Sequence, residues 1–90
     1  MHKLVVIFHS SFKKQYKKLR AGEQNRCDTR LLLFEQNYSH PLLDNHPLHG
    51  KYAGFWSINV GGDLRAVYEY VGGEIVRFVD VDTHSNLYGK

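Results

Sequence analysis

The sequence predicts an α+β fold of two layers: an N-terminal strand, an αα-hairpin, then an antiparallel three-strand meander, in the order β-α-α-β-β-β. Three observations predict it. A short apolar, largely β-branched run opens the chain at Leu4–Phe8, and apolar residues then recur at helical spacing between Phe12 and Tyr38. The second half alternates apolar and polar residues in three runs. Those runs are divided by Gly61-Gly62-Asp63 and Gly72-Gly73, and glycine supplies the positive φ that tight hairpin turns need.

Taken in order, Lys3 to His9 is β-branched and aromatic and too short for a helix, so it reads as the first strand. Ser10 and Ser11 suit an N-cap, and Phe12, Tyr16 and Leu19 stand at i, i+4 and i+7 on one stripe. Gly22 is where this first helix is expected to stop. A second helix is expected from Glu23 to about Tyr38, with Cys27, Leu31, Phe34 and Tyr38 on its apolar face. Ser39 to Gly54 reads as one long irregular stretch, because Pro41 and Pro47 exclude a continuing helix or a central strand. Strands are then expected over Phe55–Val60, Leu64–Val71 and Glu74–Val81. Trp56, Ile58 and Val60 alternate with Ser57 and Asn59; Leu64, Ala66, Tyr68 and Tyr70 alternate with Arg65, Val67 and Glu69. One sheet face is therefore expected under the helices, with polar groups on the other.

A chain of 90 residues makes one domain, residues 1–90, since domains typically run to roughly 100–150 residues. Apolar residues form 42% of it and charged ones 23%, the balance of a globular chain and not of a disordered one. The single cysteine, Cys27, excludes an internal disulfide framework and a multi-cysteine zinc site. The apolar run Leu4–Phe8 is shorter than the ~7–15 residues of a signal peptide, and no segment approaches the ~20 apolar residues of a membrane span. The expectation is a cytoplasmic protein with no membrane partner. A net charge of +3, with six histidines uncounted, favours polyanionic partners only slightly.

Functional groups concentrate at the C-terminal end, where Asp80 to Tyr88 carries a histidine, two carboxylates, two hydroxyls and a tyrosine. His84 can exchange a proton near neutral pH, or simply cap a closing turn. Arg65, on the polar face of its strand, can hold a phosphate through paired hydrogen bonds or make a cross-strand ion pair. The lysines of the first helix, Lys13, Lys14, Lys17 and Lys18, form either a solvated face or a phosphate-tracking surface. His40, His46, His49 and His84 lack the helical pairing or fixed carboxylate spacing of a zinc site, so no metal and no cofactor are expected.

Taken together, Asn45-His46-Pro47-Leu48, Gly50-Lys51-Tyr52, Gly54-Phe55, Asp63, Val67-Tyr68, Arg77-Phe78, Thr83-His84 and Leu87-Tyr88-Gly89 resemble the YafQ branch of the RelE/ParE toxin superfamily. The likeness covers about half of the chain by motif, and the element order of the rest agrees with the RelE-like fold. It implies a toxin of a type II toxin–antitoxin system, a ribosome-dependent endoribonuclease (mRNA interferase) that a cognate antitoxin neutralises. The implied partners are that antitoxin, the ribosome and mRNA. The implied reaction is metal-independent attack of a ribose 2′-OH on the adjacent phosphate.

Carried over by position, the resemblance gives His84 the main proton transfer and gives His46 and Asp63 supporting acid–base or orienting roles. Arg65 would stabilise charge on the phosphate, and Tyr88 would stack on a base or position the 2′-OH. Lys13, Lys14, Lys17, Lys18, Lys51, Asn59 and Arg77 are the candidate RNA contacts. Asn59 stands where the branch has a strand histidine, and Leu64 where it has a tryptophan. The alternative of a different class is a ParE-like toxin that binds gyrase without catalysis, or a decayed toxin acting through antitoxin binding and autoregulation. Neither needs the titratable set His46, Asp63 and His84.

Overall fold

The computed structural model describes residues 4–88; Lys3 of the expected first strand and Gly89 of the C-terminal motif lie outside the described residues. Strand β1 (Val5–Phe8) leads into helices α1 (Ser10–Lys18) and α2 (Ala21–Gln36). Strands β2 (His46–Pro47), β3 (Trp56–Gly61), β4 (Leu64–Gly72) and β5 (Ile75–Thr83) follow, and a short α3 (His84–Tyr88) comes last. The sheet order is β1-β5-β4-β3-β2, with β1 parallel to β5 and every other pairing antiparallel. The α+β order expected from the sequence holds, with one strand added.

That added strand is β2, in a stretch expected to be irregular. His46 pairs with Ser57 and Pro47 with Trp56. Proline is tolerated because β2 is the sheet edge, where its missing N–H deprives no neighbour. Two 3-10 turns, Pro41–Leu43 and Gly50–Tyr52, flank it.

Both helix boundaries differ from expectation for identifiable reasons. The cap of α1 is His9, whose Nδ1 accepts the Ser11 N–H at 3.0 Å, so neither serine caps the helix. Gly22 does not end α1. The chain turns at Leu19 and Arg20, both extended, and Gly22 sits in the first turn of α2. The Glu23 carboxylate accepts the Arg20 N–H at 2.9 Å, which holds that start in place. At the other end α2 stops at Gln36, leaving Tyr38 outside the helix and exposed.

The core lies between the helices and one sheet face. Phe12 from α1, Cys27 and Phe34 from α2, and Ile58, Val60, Leu64, Ala66, Tyr68, Val76, Phe78 and Val81 from the sheet are buried there. Phe34, Tyr68 and Phe78 pack with centroids 4.9–5.3 Å apart. Beyond Phe78, strand β5 stays on this face only because of a bulge. Val67 pairs with Asp80 and Tyr68 with Phe78, which leaves Val79 as an extra residue. Strict alternation from Val76 and Phe78 would turn Asp80 and Asp82 inward; the bulge puts Val81 in the core instead. The Ser11 hydroxyl donates to the Val79 carbonyl that the bulge frees, at 2.5 Å.

The second sheet face is not simply open. Ser57 and Val67, neighbours in register, are both fully buried. Leu87 of α3 is buried as well. One end of this face thus has cover of its own, and that end holds the cleft.

Candidate active site

Three parts of the chain converge on a cleft of about 420 Å³ lined by Asp44, His46, Leu48, His49, Ser57, Arg65, His84 and Tyr88. β2 and its flanks bring the first four, the central strands bring Ser57 and Arg65, and α3 brings His84 and Tyr88.

The segment before β2 is pinned from below. Leu43 is fully buried. Asn45 donates to the Tyr38 carbonyl at 3.0 Å and accepts the Tyr68 hydroxyl at 2.8 Å. Arg30 of α2 reaches the carbonyls of Leu42 at 3.2 Å and Asn59 at 2.9 Å. Asp44 adopts a left-handed conformation (φ 46°) and turns the chain into β2. Its carbonyl oxygen then lies 2.7 Å from His46 Nδ1. A carbonyl only accepts, so Nδ1 carries the proton, and the other ring nitrogen of neutral His46 keeps its lone pair.

At the opposite wall, the His84 backbone N–H donates to the Asp63 carbonyl at 2.9 Å, fastening α3 to the β3–β4 turn. The His84 ring packs edge-on to Tyr88, centroids 4.6 Å apart. Tyr88 meets Tyr52 at 5.8 Å, and Lys51 lies over the Tyr52 ring at 5.6 Å. Asp80 is half-buried beside this aromatic wall, and burial, with a smaller push from Asp82, raises its carboxyl above the usual range. Burial also raises the Tyr52 hydroxyl, helped by the charge of Asp80.

Two hydroxyls bordering the cleft, Ser57 Oγ and Tyr88 Oη, are buried with no hydrogen-bond partner among the described residues. A buried polar atom left so costs free energy until something pairs with it. Arg65 supplies the positive charge of the floor. Its Nη1 lies 3.3 Å from Asn59 Oδ1, 3.3 Å from the Gly62 carbonyl and 3.0 Å from the Leu64 carbonyl.

Of the residues singled out in the sequence, the cleft unites His46, Arg65, His84 and Tyr88. Asp63 is exposed and reaches the site through its backbone carbonyl, not as a lining carboxylate. Arg77 is held by Glu69, whose Oε2 takes its Nε at 3.1 Å and Nη2 at 2.8 Å. Lys13, Lys14, Lys17 and Lys18 are exposed on α1, in the helix layer across the sheet from the cleft. Asp44, His49 and Ser57 were missed as site residues. The spacing of His46 and His49 hinted at one of them, but the burial of Ser57 has no signal in the sequence. Among the described residues no group of three or more His, Cys, Asp or Glu side chains is arranged to hold a metal ion.

A five-stranded sheet backed by an αα-hairpin is the fold of a RelE/ParE-superfamily toxin, on which the family match and the solved structures agree. The toxin of the Escherichia coli DinJ–YafQ complex superposes with a TM-score of 0.76 at 21% identity, covering 98% of this chain and 100% of that one. YafQ from E. coli strain BL21(DE3) gives 0.73 at 21% identity over 97% and 100%. A YoeB/ParE toxin from Agrobacterium tumefaciens gives 0.73 at 19% identity over 90% and 99%. The family described as bacterial toxin of type II toxin–antitoxin system, YafQ, matches residues 4–89, and the chain belongs to it. No curated protein matches the chain significantly.

Proposed function

We propose that this toxin is an endoribonuclease that cleaves translated mRNA in the cytoplasm, on the ribosome, and that a cognate antitoxin neutralises it. The observation that carries this reading is the meeting of His46, His84 and Arg65 in one cleft beside Tyr88. Membership of the YafQ toxin family supports it. So does the antitoxin bound to the related toxin in the DinJ–YafQ complex.

Cleavage of RNA by its own 2′-OH needs a base, an acid and charge stabilisation at phosphorus. His46, protonated on Nδ1 by its bond to the Asp44 carbonyl, takes the 2′-OH proton on its other nitrogen. The 2′-oxygen attacks phosphorus and the bond to the 5′-oxygen breaks. Protonated His84 delivers its proton to that leaving oxygen, so the products are a 2′,3′-cyclic phosphate and a free 5′-OH. Arg65 neutralises charge on the phosphate oxygens in the transition state. Tyr88 stacks on a base or positions the 2′-OH.

Growth arrest on induced expression, wild type beside His84→Ala, with 5′-end mapping of cellular mRNA, tests this reading. Codon-registered cleavage that disappears in His84→Ala is expected, with at least a ~100-fold loss for a missing general acid. Arrest without cleavage, insensitive to His84, would sink it.

A further inference from the structure

The geometry points to Asn59 as the positioning residue for Arg65: its amide oxygen aims the guanidinium into the cleft while leaving the charge of that group uncompensated. The inference rests on the proposed role of Arg65 and goes beyond it, because it explains why an amide stands at this position.

Two arginines of the sheet, Arg65 on β4 and Arg77 on β5, are held in opposite ways. Arg77 gives both Nε and Nη2 to the Glu69 carboxylate. That pairing occupies the side-on edge of the guanidinium and cancels its charge. Arg65 is held through Nη1 alone, by Asn59 Oδ1 and two backbone carbonyls, all neutral acceptors. Among the described residues its Nε and Nη2 have no bonded partner, so the edge that fits two phosphate oxygens is free.

The bond depends on a second bulge. Asn59 pairs with Arg65 and Gly61 with Leu64, which leaves Val60 as the extra residue. Asn59 Oδ1 also accepts the Gly61 N–H at 2.9 Å, so one oxygen serves both the bulge and Arg65. From α2, Arg30 grips the Asn59 carbonyl at 2.9 Å. Gly61 takes a positive φ of +121°, a backbone conformation that residues with side chains rarely adopt. A neutral histidine at position 59 has one acceptor nitrogen and cannot accept both N–H groups. An aspartate would accept both and would also neutralise Arg65.

The test is a double-mutant cycle on single-turnover cleavage of mRNA in programmed ribosomes: wild type, Asn59→Ala, Arg65→Ala and the pair, with Asn59→His alongside. Side-chain ¹⁵N–¹H spectra of Arg65 and melting temperatures accompany it. Asn59→Ala is expected to slow cleavage about tenfold to a hundredfold, the scale of a misplaced catalytic group. In the Arg65→Ala background the same change should cost less than about twofold, because the two act as one unit. The Arg65 guanidinium signals should shift and broaden in both position-59 variants. Equal losses in both backgrounds, unshifted Arg65 signals, or faster cleavage by Asn59→His would overturn the inference. Full activity of Arg65→Ala, or a wild type that does not cleave, would instead defeat the reading of the site. The spectra would then decide the Asn59–Arg65 contact alone.

Discussion

Single residues in this toxin are tuned by what surrounds them more than by what they are. Cys27 is fully buried in the core, and burial pushes its thiol up to about 12, so it is a packing residue and not a nucleophile. Asp80 is the more informative case. Its carboxyl lies above its usual value because burial disfavours the charged form. A raised folded pKa means that the native state binds this proton more tightly than the unfolded chain. The stabilising contribution is full below the unfolded value and is lost as pH rises through the folded one. Asp80→Asn, which keeps the oxygen that accepts the Val81 N–H, should therefore raise the melting temperature at pH 7. The gain should vanish below the ordinary carboxylate range, and thermal melts across pH would show it. A variant less stable than wild type at neutral pH would mean that the Asp80 charge has a partner in solution. None of this was legible in the sequence, where Asp80 was one of two carboxylates in a crowded terminal run.

At the scale of elements, the periodic segments were legible and the connecting ones were not. Hydrophobic spacing placed β1, both helices and the three meander strands within a few residues, because periodicity records which face is buried. The segment from Asn37 to Phe55 carries no period, yet it delivers His46 and His49. Its shape comes from contacts distant in sequence, above all the Tyr68–Asn45 bond at 2.8 Å. Tyr68→Phe should cost about 1–3 kcal/mol, the penalty of leaving Asn45 Oδ1 unpaired in a part-buried place. It should also speed amide exchange around β2 and slow cleavage through a less ordered His46. Hydrogen exchange by mass spectrometry checks this; unchanged protection at β2 would mean that the segment holds its own shape. The bulges beside Asn59 and Phe78 fall in the same category. The bulge in β5 puts Val81 in the core against strict alternation, and alternation read from sequence alone misses it.

Across the whole molecule, the sheet separates two surfaces. The cleft with Arg65, His46 and His84 occupies one side, and the exposed lysines of α1 occupy the other. Lys18, at the end of α1, comes nearest the cleft end of the sheet, where it shares a pocket with Thr83 and Asn86. If the lysines meet the phosphates of a large RNA assembly such as the ribosome, Lys13, Lys14, Lys17 and Lys18→Glu should weaken association without altering the bound-state cleavage rate. The slope of log affinity against log salt should fall by about 0.7–0.9 for each phosphate that a lysine no longer neutralises. Binding that is indifferent to these changes would make the helix a plain solvated face. By itself the sequence determined the α+β class, the order of the main elements and the family, because periodicity, glycine turns and short motifs are local and survive without coordinates. Only the tertiary structure decided which titratable groups share a cleft, that Asp63 meets α3 through its backbone carbonyl, that Arg77 is neutralised, and that Asn59 faces Arg65. Those outcomes depend on register, on single-residue bulges and on bonds between residues far apart in the chain, and no local pattern encodes them.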